Sequence, residues 1–153
     1  CLSSSIINNP DLCIEISKSI GSQSLVAVLD IKKNFLRKYQ VVTNRSKTKH
    51  SIDLMLLIDI LQKNGVGELV INSVDNDGLM KGYDLNLIQK VYSKARVPLT
   101  VLGGAGSLDD MKELINRFGI IGCAAGSLFV FKGKYKAVLI NYPSFKEKKI
   151  INL

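Results

Sequence analysis

The chain has 153 residues, with 21 Lys and Arg against 13 Asp and Glu, giving a formal charge of +8. Hydrophobic residues make up 46%, charged residues 22%, and prolines number 3, which excludes a disordered, collagenous or low-complexity chain and suits one domain with its own core. No apolar run approaches the roughly 18 residues of a membrane helix, and the 3 cysteines (Cys1, Cys13, Cys123) have neither metal-ligand nor CxxC spacing, so a reducing cytoplasm is the expected compartment.

Leu2 to Ser5 is too short to assign alone. Asn9-Pro10-Asp11 reads as a helix start, with Asn as the cap and Pro in the first turn, and the helix runs through Leu12, Ile16 and Ile20 to Gly21. Ser24 to Asp30 is a nearly unbroken apolar run closed by a carboxylate; continuous rather than alternating apolarity marks a strand of a parallel sheet. Residues 31–50 form a basic excursion in which Tyr39–Thr43 is expected as one arm of a hairpin. A helix from Asp53 to Asn64 ends before Gly65, a strand spans Glu68–Ser73, and a polar loop runs from Val74 to Gly82. Asp84 caps the next helix (Leu87, Ile88, Val91), Pro98–Leu102 is a strand, and Gly103–Gly106 is a loop. Ser107 caps a helix carrying Asp109 and Asp110 in its first turn, with Gly119 ending it. Ile120–Ala124 is a strand, Ala125–Ser127 a small-residue loop, and Leu128–Tyr142 is expected as a helix broken near Gly133.

Strand, loop and helix thus recur along the chain, the βαβ signature with right-handed crossovers. Both doubly wound and barrel folds satisfy it, and the loops discriminate. Polar or glycine residues follow the carboxyl ends of successive strands: Asp30, then Asn72 with Asp75 and Asp77, then Gly103-Gly104, then Gly126-Ser127. A (βα)8 barrel builds its site at that face and holds phosphate on the loops after its last two strands. A doubly wound nucleotide site would carry G-x-G-x-x-G after its first strand, and Gly103-Gly-Ala-Gly-Ser-Leu108 lacks the third glycine.

The remaining signals are read as follows. Asp30, a carboxylate closing an apolar strand, is a candidate catalytic group, the alternative being a turn cap or a pair with Lys32 or Lys33. Asp75 and Asp77 before Gly78 imitate a calcium loop but lack its closing Glu. No metal or cofactor is expected. The cations Lys32, Lys33, Arg37, Lys38, Arg45, Lys47 and Lys49 read as a solvated face able to steer an anionic substrate. No stacking motif or zinc module accompanies them, so neither nucleic acid nor a membrane is an expected partner.

Asn9-Pro-Asp-Leu12, Gly21-Ser-Gln-Ser-Leu-Val26, Asp30-Ile-Lys-Lys33, Gly67-Glu-Leu-Val-Ile-Asn-Ser-Val-Asp-Asn-Asp-Gly78, Lys81-Gly-Tyr-Asp-Leu85, Gly103-Gly-Ala-Gly106 and Ala124-Ala-Gly-Ser-Leu-Phe-Val-Phe131 follow one another along nearly the whole chain. In that order they resemble the cyclase subunit of imidazole glycerol phosphate synthase, from the end of its fourth strand to its eighth helix. The resemblance implies a single partial (βα)8-barrel domain over 1–153, with 31–50 as an excursion after strand five. A whole barrel takes about 250 residues, so the sequence is expected to be a piece of a longer chain.

By the same resemblance Asp30 matches a catalytic aspartate, whose acid/base partner stands on a strand outside this sequence. Gly78, Gly104 and Ser127 match positions near one substrate phosphate, and Gly82 and Ser4 positions near the other. Asp77 matches an acidic active-site residue, and Glu68 a charged residue at a gate through which a glutaminase subunit delivers ammonia. Ser3 stands where the cyclases carry Asn, Asn72 where they carry Thr, and Leu102 where they carry a smaller residue; Asn76 and Leu79 replace Arg and Thr. Gly103 and Gly126 complete the expected phosphate contacts. The implied reaction adds ammonia to a doubly phosphorylated ribulosyl carboxamide nucleotide, closes an imidazole ring and releases an aminoimidazole carboxamide ribonucleotide. The ending Phe129–Pro143 is more like a paralogous branch that supports sugar amidation in surface-polysaccharide synthesis.

Overall fold

The computed structural model describes residues 1–133, 135–149 and 151. Its frame is a six-stranded sheet. Strands β1 (Val26–Lys33), β4 (Glu68–Ser73), β5 (Leu99–Leu102) and β6 (Gly122–Cys123) run parallel in that spatial order. On the far side of β1, β2 (Tyr39–Thr43) and β3 (Thr48–Lys49) add an antiparallel hairpin. Leu2 forms a parallel bridge with Ala27, its N–H and C=O bonding to Val26 and Val28, so the chain also enters alongside β1.

Between the strands lie α3 (Leu54–Lys63), α4 (Leu85–Tyr92) and α5 (Leu108–Phe118), preceded by α1 (Ser4–Asn8) and α2 (Leu12–Ile20). Asp53 caps α3 by accepting from Met55 and Leu56, Asp84 caps α4 by accepting from Leu87, and Ser107 with Asp110 forms a complete capping box on α5. Helix α2 begins two residues later than the sequence suggests: Asp11, not Asn9, is the boundary residue, and Asn9 instead offers its carbonyl to Leu12.

Burial alternates along the strands. Ala27, Leu29, Ile31, Leu69, Ile71, Leu99 and Val101 are buried, in one core with Leu57, Ile58 and Leu61 of α3, Leu87, Ile88 and Val91 of α4, and Leu114 of α5. The opposite face is only half-buried. Its side chains form layers across the sheet: Val26 with Glu68, then Val28, Val70, Thr100 and Gly122, then Asp30, Asn72 and Leu102. Helices packed on one face of parallel strands, with inward layers on the other, are the arrangement of a barrel wall.

The carboxyl-terminal part departs from the sequence expectation. The helix expected over Leu128–Tyr142 is one turn, α6 (Ser127–Val130), followed by a hairpin of β7 (Phe131–Lys132) and β8 (Ala137–Val138) and then α7 (Phe145–Lys148). Gly133 adopts φ +74 and its carbonyl accepts from Lys136, closing a turn no helix permits. Phe, Val and Tyr around that turn favour extended backbone, and the apolar periodicity was that of two short strands.

Candidate active site

The rim at the carboxyl ends of the parallel strands gathers most of the residues singled out from the sequence. Asp30 does not close its strand as expected, because β1 continues to Lys33 by pairing with β2. It lies one residue before the end of the parallel β1–β4 ladder, in register with Asn72, whose Nδ2 donates to Asp30 Oδ1 at 2.9 Å. Leu102, the register partner of Asn72 on β5, completes that layer with an apolar side chain. The second Asn72 amide atom, Oδ1, is buried without a hydrogen-bond partner among the described residues. It faces Gly103, where an added Cβ would come within 2.9 Å of it.

Next to this layer is a shallow cleft lined by Asp77, Gly78, Leu102, Gly103, Gly104, Ala105, Ala125, Gly126 and Ser127. Three loops meet here, and Gly104 sets their spacing. With φ +113 it follows Gly103 out of β5 and brings its own carbonyl to the Gly82 N–H at 2.9 Å. A Cβ on Gly104 would stand 2.1 Å from the Gly82 carbonyl oxygen, so only glycine allows this approach. The Ser127 hydroxyl lies 4.0 Å from where a Cβ of Gly78 would be, which puts the first and last loops face to face. Among the described residues, the N–H groups of Gly78, Gly104 and Gly126 donate to no protein acceptor. The lining contains neither Lys nor Arg. Besides the Asp77 carboxylate at its edge, the polar groups of the cleft are therefore backbone N–H groups and one hydroxyl, the kinds of donor from which small-residue anion nests are built.

The remaining candidates occupy other places. Gly82 packs against Gly104 and Asp110, and its carbonyl accepts from Asn76 Nδ2 at 3.0 Å. Ser3 and Ser4 follow the parallel Leu2 bridge in the direction of the carboxyl end of β1, Ser3 as the boundary residue of α1 and Ser4 as its first residue. Glu68 opens β4, and its Oε1 accepts from Thr100 Oγ1 at 2.7 Å, one layer in from the opposite end of the sheet. Four residue steps of strand lead from it to Asn72, about 13 Å along the chain.

One polar cluster was not foreseen. Asp84 is buried, with a side-chain exposure of 7%; its Oδ2 meets Lys33 Nζ at 2.7 Å and its Oδ1 accepts from Tyr39 OH at 2.9 Å and from the Leu87 N–H at 3.1 Å. Asp75 Oδ2 accepts from the Lys33 N–H at 2.7 Å. The sequence marked Asp84 only as a helix cap; its other partners come from the hairpin. Burial by itself pushes the Asp84 carboxyl up, but the Lys33 ammonium, the Leu87 N–H and the Tyr39 hydroxyl together hold it below the usual carboxylate range. Lys33, bonded to Asp84, is raised.

The signs give a pH window. A depressed carboxyl stabilises the fold fully above its unfolded value and loses that contribution as pH falls through the folded one; a raised ammonium does so below its unfolded value and loses it as pH rises. The hairpin junction is therefore expected to be most stable between about pH 4 and pH 10, the unfolded values of the two groups. Asp84→Asn should remove part of the acid-side loss in thermal unfolding recorded from neutral to low pH. An acid limb identical to that of the parent chain would contradict this.

Among the described residues, no group of three or more His, Cys, Asp and Glu side chains is placed to hold a metal ion, and no helix is long and apolar enough to cross a membrane. The hairpin cations Lys32, Lys33, Arg37, Lys38, Arg45, Lys47 and Lys49 are exposed on the excursion and not in the cleft.

Comparison with known proteins agrees with this architecture. Residues 1–136 match the family described as "Histidine biosynthesis protein". The chain is 49% identical, over 97% of its length and 57% of the relative's, to a Vibrio vulnificus protein provisionally named imidazole glycerol phosphate synthase subunit hisF3. It is 46% identical to a Leptospira interrogans protein provisionally named as the HisF subunit, over 98% of this chain and 59% of that one. To the imidazole glycerol phosphate synthase subunit HisF of Dictyoglomus turgidum it is 34% identical, over 85% of this chain and 51% of that one. The chain thus spans less than three fifths of the length of these relatives. A parallel sheet walled by helices on one face, with glycine loops at its carboxyl rim and a family match over residues 1–136, is consistent in every part: the chain belongs to the histidine biosynthesis protein family, and it forms part of a (βα)8 barrel.

Proposed function

We propose that this chain carries the carboxyl-terminal half-site of a lyase of the imidazole glycerol phosphate synthase cyclase type. In that reading Asp30 is a general acid/base and the glycine cleft grips one phosphate of a doubly phosphorylated ribulosyl carboxamide nucleotide. Ammonia from a glutaminase subunit enters past Glu68 and is built into imidazole glycerol phosphate, with release of aminoimidazole carboxamide ribonucleotide. The observation that carries the reading is the juxtaposition of a tethered carboxylate with an anion nest on one rim: Asp30 bonded to Asn72, and Asn72 sharing its layer with Leu102 of the cleft.

Each residue has a chemical task. Asn72 occupies one Asp30 oxygen and leaves the other for proton transfer at the substrate. The N–H groups of Gly78, Gly104 and Gly126, with the Ser127 hydroxyl, bind the phosphate without a cation. Asp77, exposed at the cleft edge, contacts substrate hydroxyls rather than the phosphate, which it would repel. Ser4 and Gly82 are assigned to the second phosphate, and Ser3 to a contact beside it. The exposed hairpin cations raise the local concentration of so anionic a substrate.

One observation favours a second reading, in which the chain supports sugar amidation in surface-polysaccharide synthesis by supplying ammonia. Leu102 puts an apolar side chain in the cleft where the cyclases are expected to carry a smaller residue, removing room for a polar substrate contact. Steady-state turnover of the full-length protein with ammonium salt and the cyclase substrate, with and without a glutaminase subunit, separates the two. Release of both products supports the cyclase reading. No turnover, together with sugar amidation that survives Asp30→Asn, replaces it with the second.

A further inference from the structure

The loop from Val74 to Asp84 supplies Asp77 and Gly78 to the cleft, and it is held at both ends by one residue of the hairpin. Near its start, Asp75 Oδ2 accepts the Lys33 N–H at 2.7 Å, extending the β1–β4 ladder beyond its last register pair, Ile31 with Ser73. At its end, Asp84 Oδ2 meets Lys33 Nζ at 2.7 Å. Inside the loop, Asn76 and Asp77 N–H groups bond to the Ser73 carbonyl, and Leu79 N–H to that of Asn76. Gly82 N–H then bonds to Gly104 O, so the position of the loop is passed to the glycines after β5.

We propose that Lys33 is a positioning residue for the anion cleft, clamping both ends of the Val74–Asp84 loop so that Gly78 stands opposite Ser127 and Gly82 stays seated on Gly104. This rests on the reading of the cleft as a phosphate site and assigns a role within it to a residue that does not line it. The clamp suits the chemistry of the place. Asp84 is a buried carboxylate, and a buried charge needs a counterion. Lys33 supplies it from a stem that also lies over the Tyr39 ring, with Nζ 5.2 Å from the ring centroid. The excursion that begins at the end of β1 with Lys33 and continues into β2 with Tyr39 is thereby built into the site's support, although its exposed cations look like a solvated appendage.

Without the ammonium, Asp84 still accepts from Tyr39 OH and the Leu87 N–H and can be neutralised by a proton, which limits the cost of leaving it buried. In Lys33→Met, which keeps the main-chain bond to Asp75 and removes only the ammonium at Asp84, hydrogen exchange of the Leu79 and Gly82 amides should rise about fivefold, the scale of one partly exposed ion pair. Amides of Val70 and Ile71 in β4 should not change. Titration with inorganic phosphate should weaken by a similar factor, and Lys33→Arg should recover both readings. Unchanged loop exchange in Lys33→Met overturns the clamp, whatever phosphate does. Faster exchange with undiminished phosphate affinity overturns the positioning role. If the parent chain binds no phosphate, the anion reading of the cleft fails, and the exchange measurement alone decides whether Lys33 holds the loop.

Discussion

Gly104→Ala is expected to dismantle the cleft and lower the stability of the whole chain. The residue holds φ +113, where an L side chain is strained at a cost of about 1–3 kcal/mol. The new Cβ would also stand 2.1 Å from the Gly82 carbonyl oxygen, 2.9 Å from its carbon and 3.1 Å from Asn76 Cβ. Two of those atoms are backbone, so relief requires the loops to part, and forced overpacking costs a further 1–3 kcal/mol or so. The sum, about 2–6 kcal/mol, is a large share of the roughly 5–15 kcal/mol that keeps a domain folded. Thermal unfolding should show the loss directly, and any folded Gly104→Ala protein should have little affinity for phosphate. Gly126→Ala is the control: Gly126 sits at φ −107 with no atom within 4 Å of an added Cβ, so its stability should stay near that of the parent. Equal behaviour of the two variants would contradict the described packing.

Asp30→Asn should have the larger effect on chemistry and a small one on folding. The side chain keeps its shape, and its amide oxygen can still accept from Asn72 Nδ2, which now donates at 2.9 Å. What is lost is the proton-transfer group, and a positioned acid/base contributes about 10²- to 10⁴-fold to turnover. The ammonium-driven reaction should therefore slow by that order while the unfolding temperature barely moves. Asn72→Thr, which installs the residue expected in the cyclases, is the informative companion: it removes the amide that now donates to Asp30 and should change turnover of the parent while leaving the slowed Asp30→Asn rate where it is. An Asp30→Asn protein that turns over at the parent rate would remove Asp30 from the mechanism.

The parallel strands were readable because each is an apolar run bounded by glycine or a helix cap, and β4 and the caps at Asp53, Asp84 and Ser107 fall where those signals put them. The rim was readable for the same reason: its residues sit at strand ends, and a strand end is a local property. The part after Ser127 was not. There the short apolar pieces Phe131–Lys132 and Ala137–Val138 are the two arms of a hairpin, and the turn at Gly133, with φ +74, separates them where the sequence suggests one broken helix. Lys33 was missed for a different reason. Its partners Asp75 and Asp84 are 42 and 51 positions away, and no periodicity within one element predicts which of many surface cations meets a buried carboxylate. Asn72 was marked as a rim residue, but its bond to Asp30 became visible only once β1 and β4 were placed side by side in register.

On the proposed function, the loops after β4, β5 and β6 bind a single anion between them. When inorganic phosphate is added, backbone amide resonances should show saturable shifts confined to Gly78, Gly104, Gly126 and Ser127, with the exposed lysines of the excursion responding weakly and without saturation. Shifts that concentrate on the hairpin and leave those four amides unmoved would contradict it.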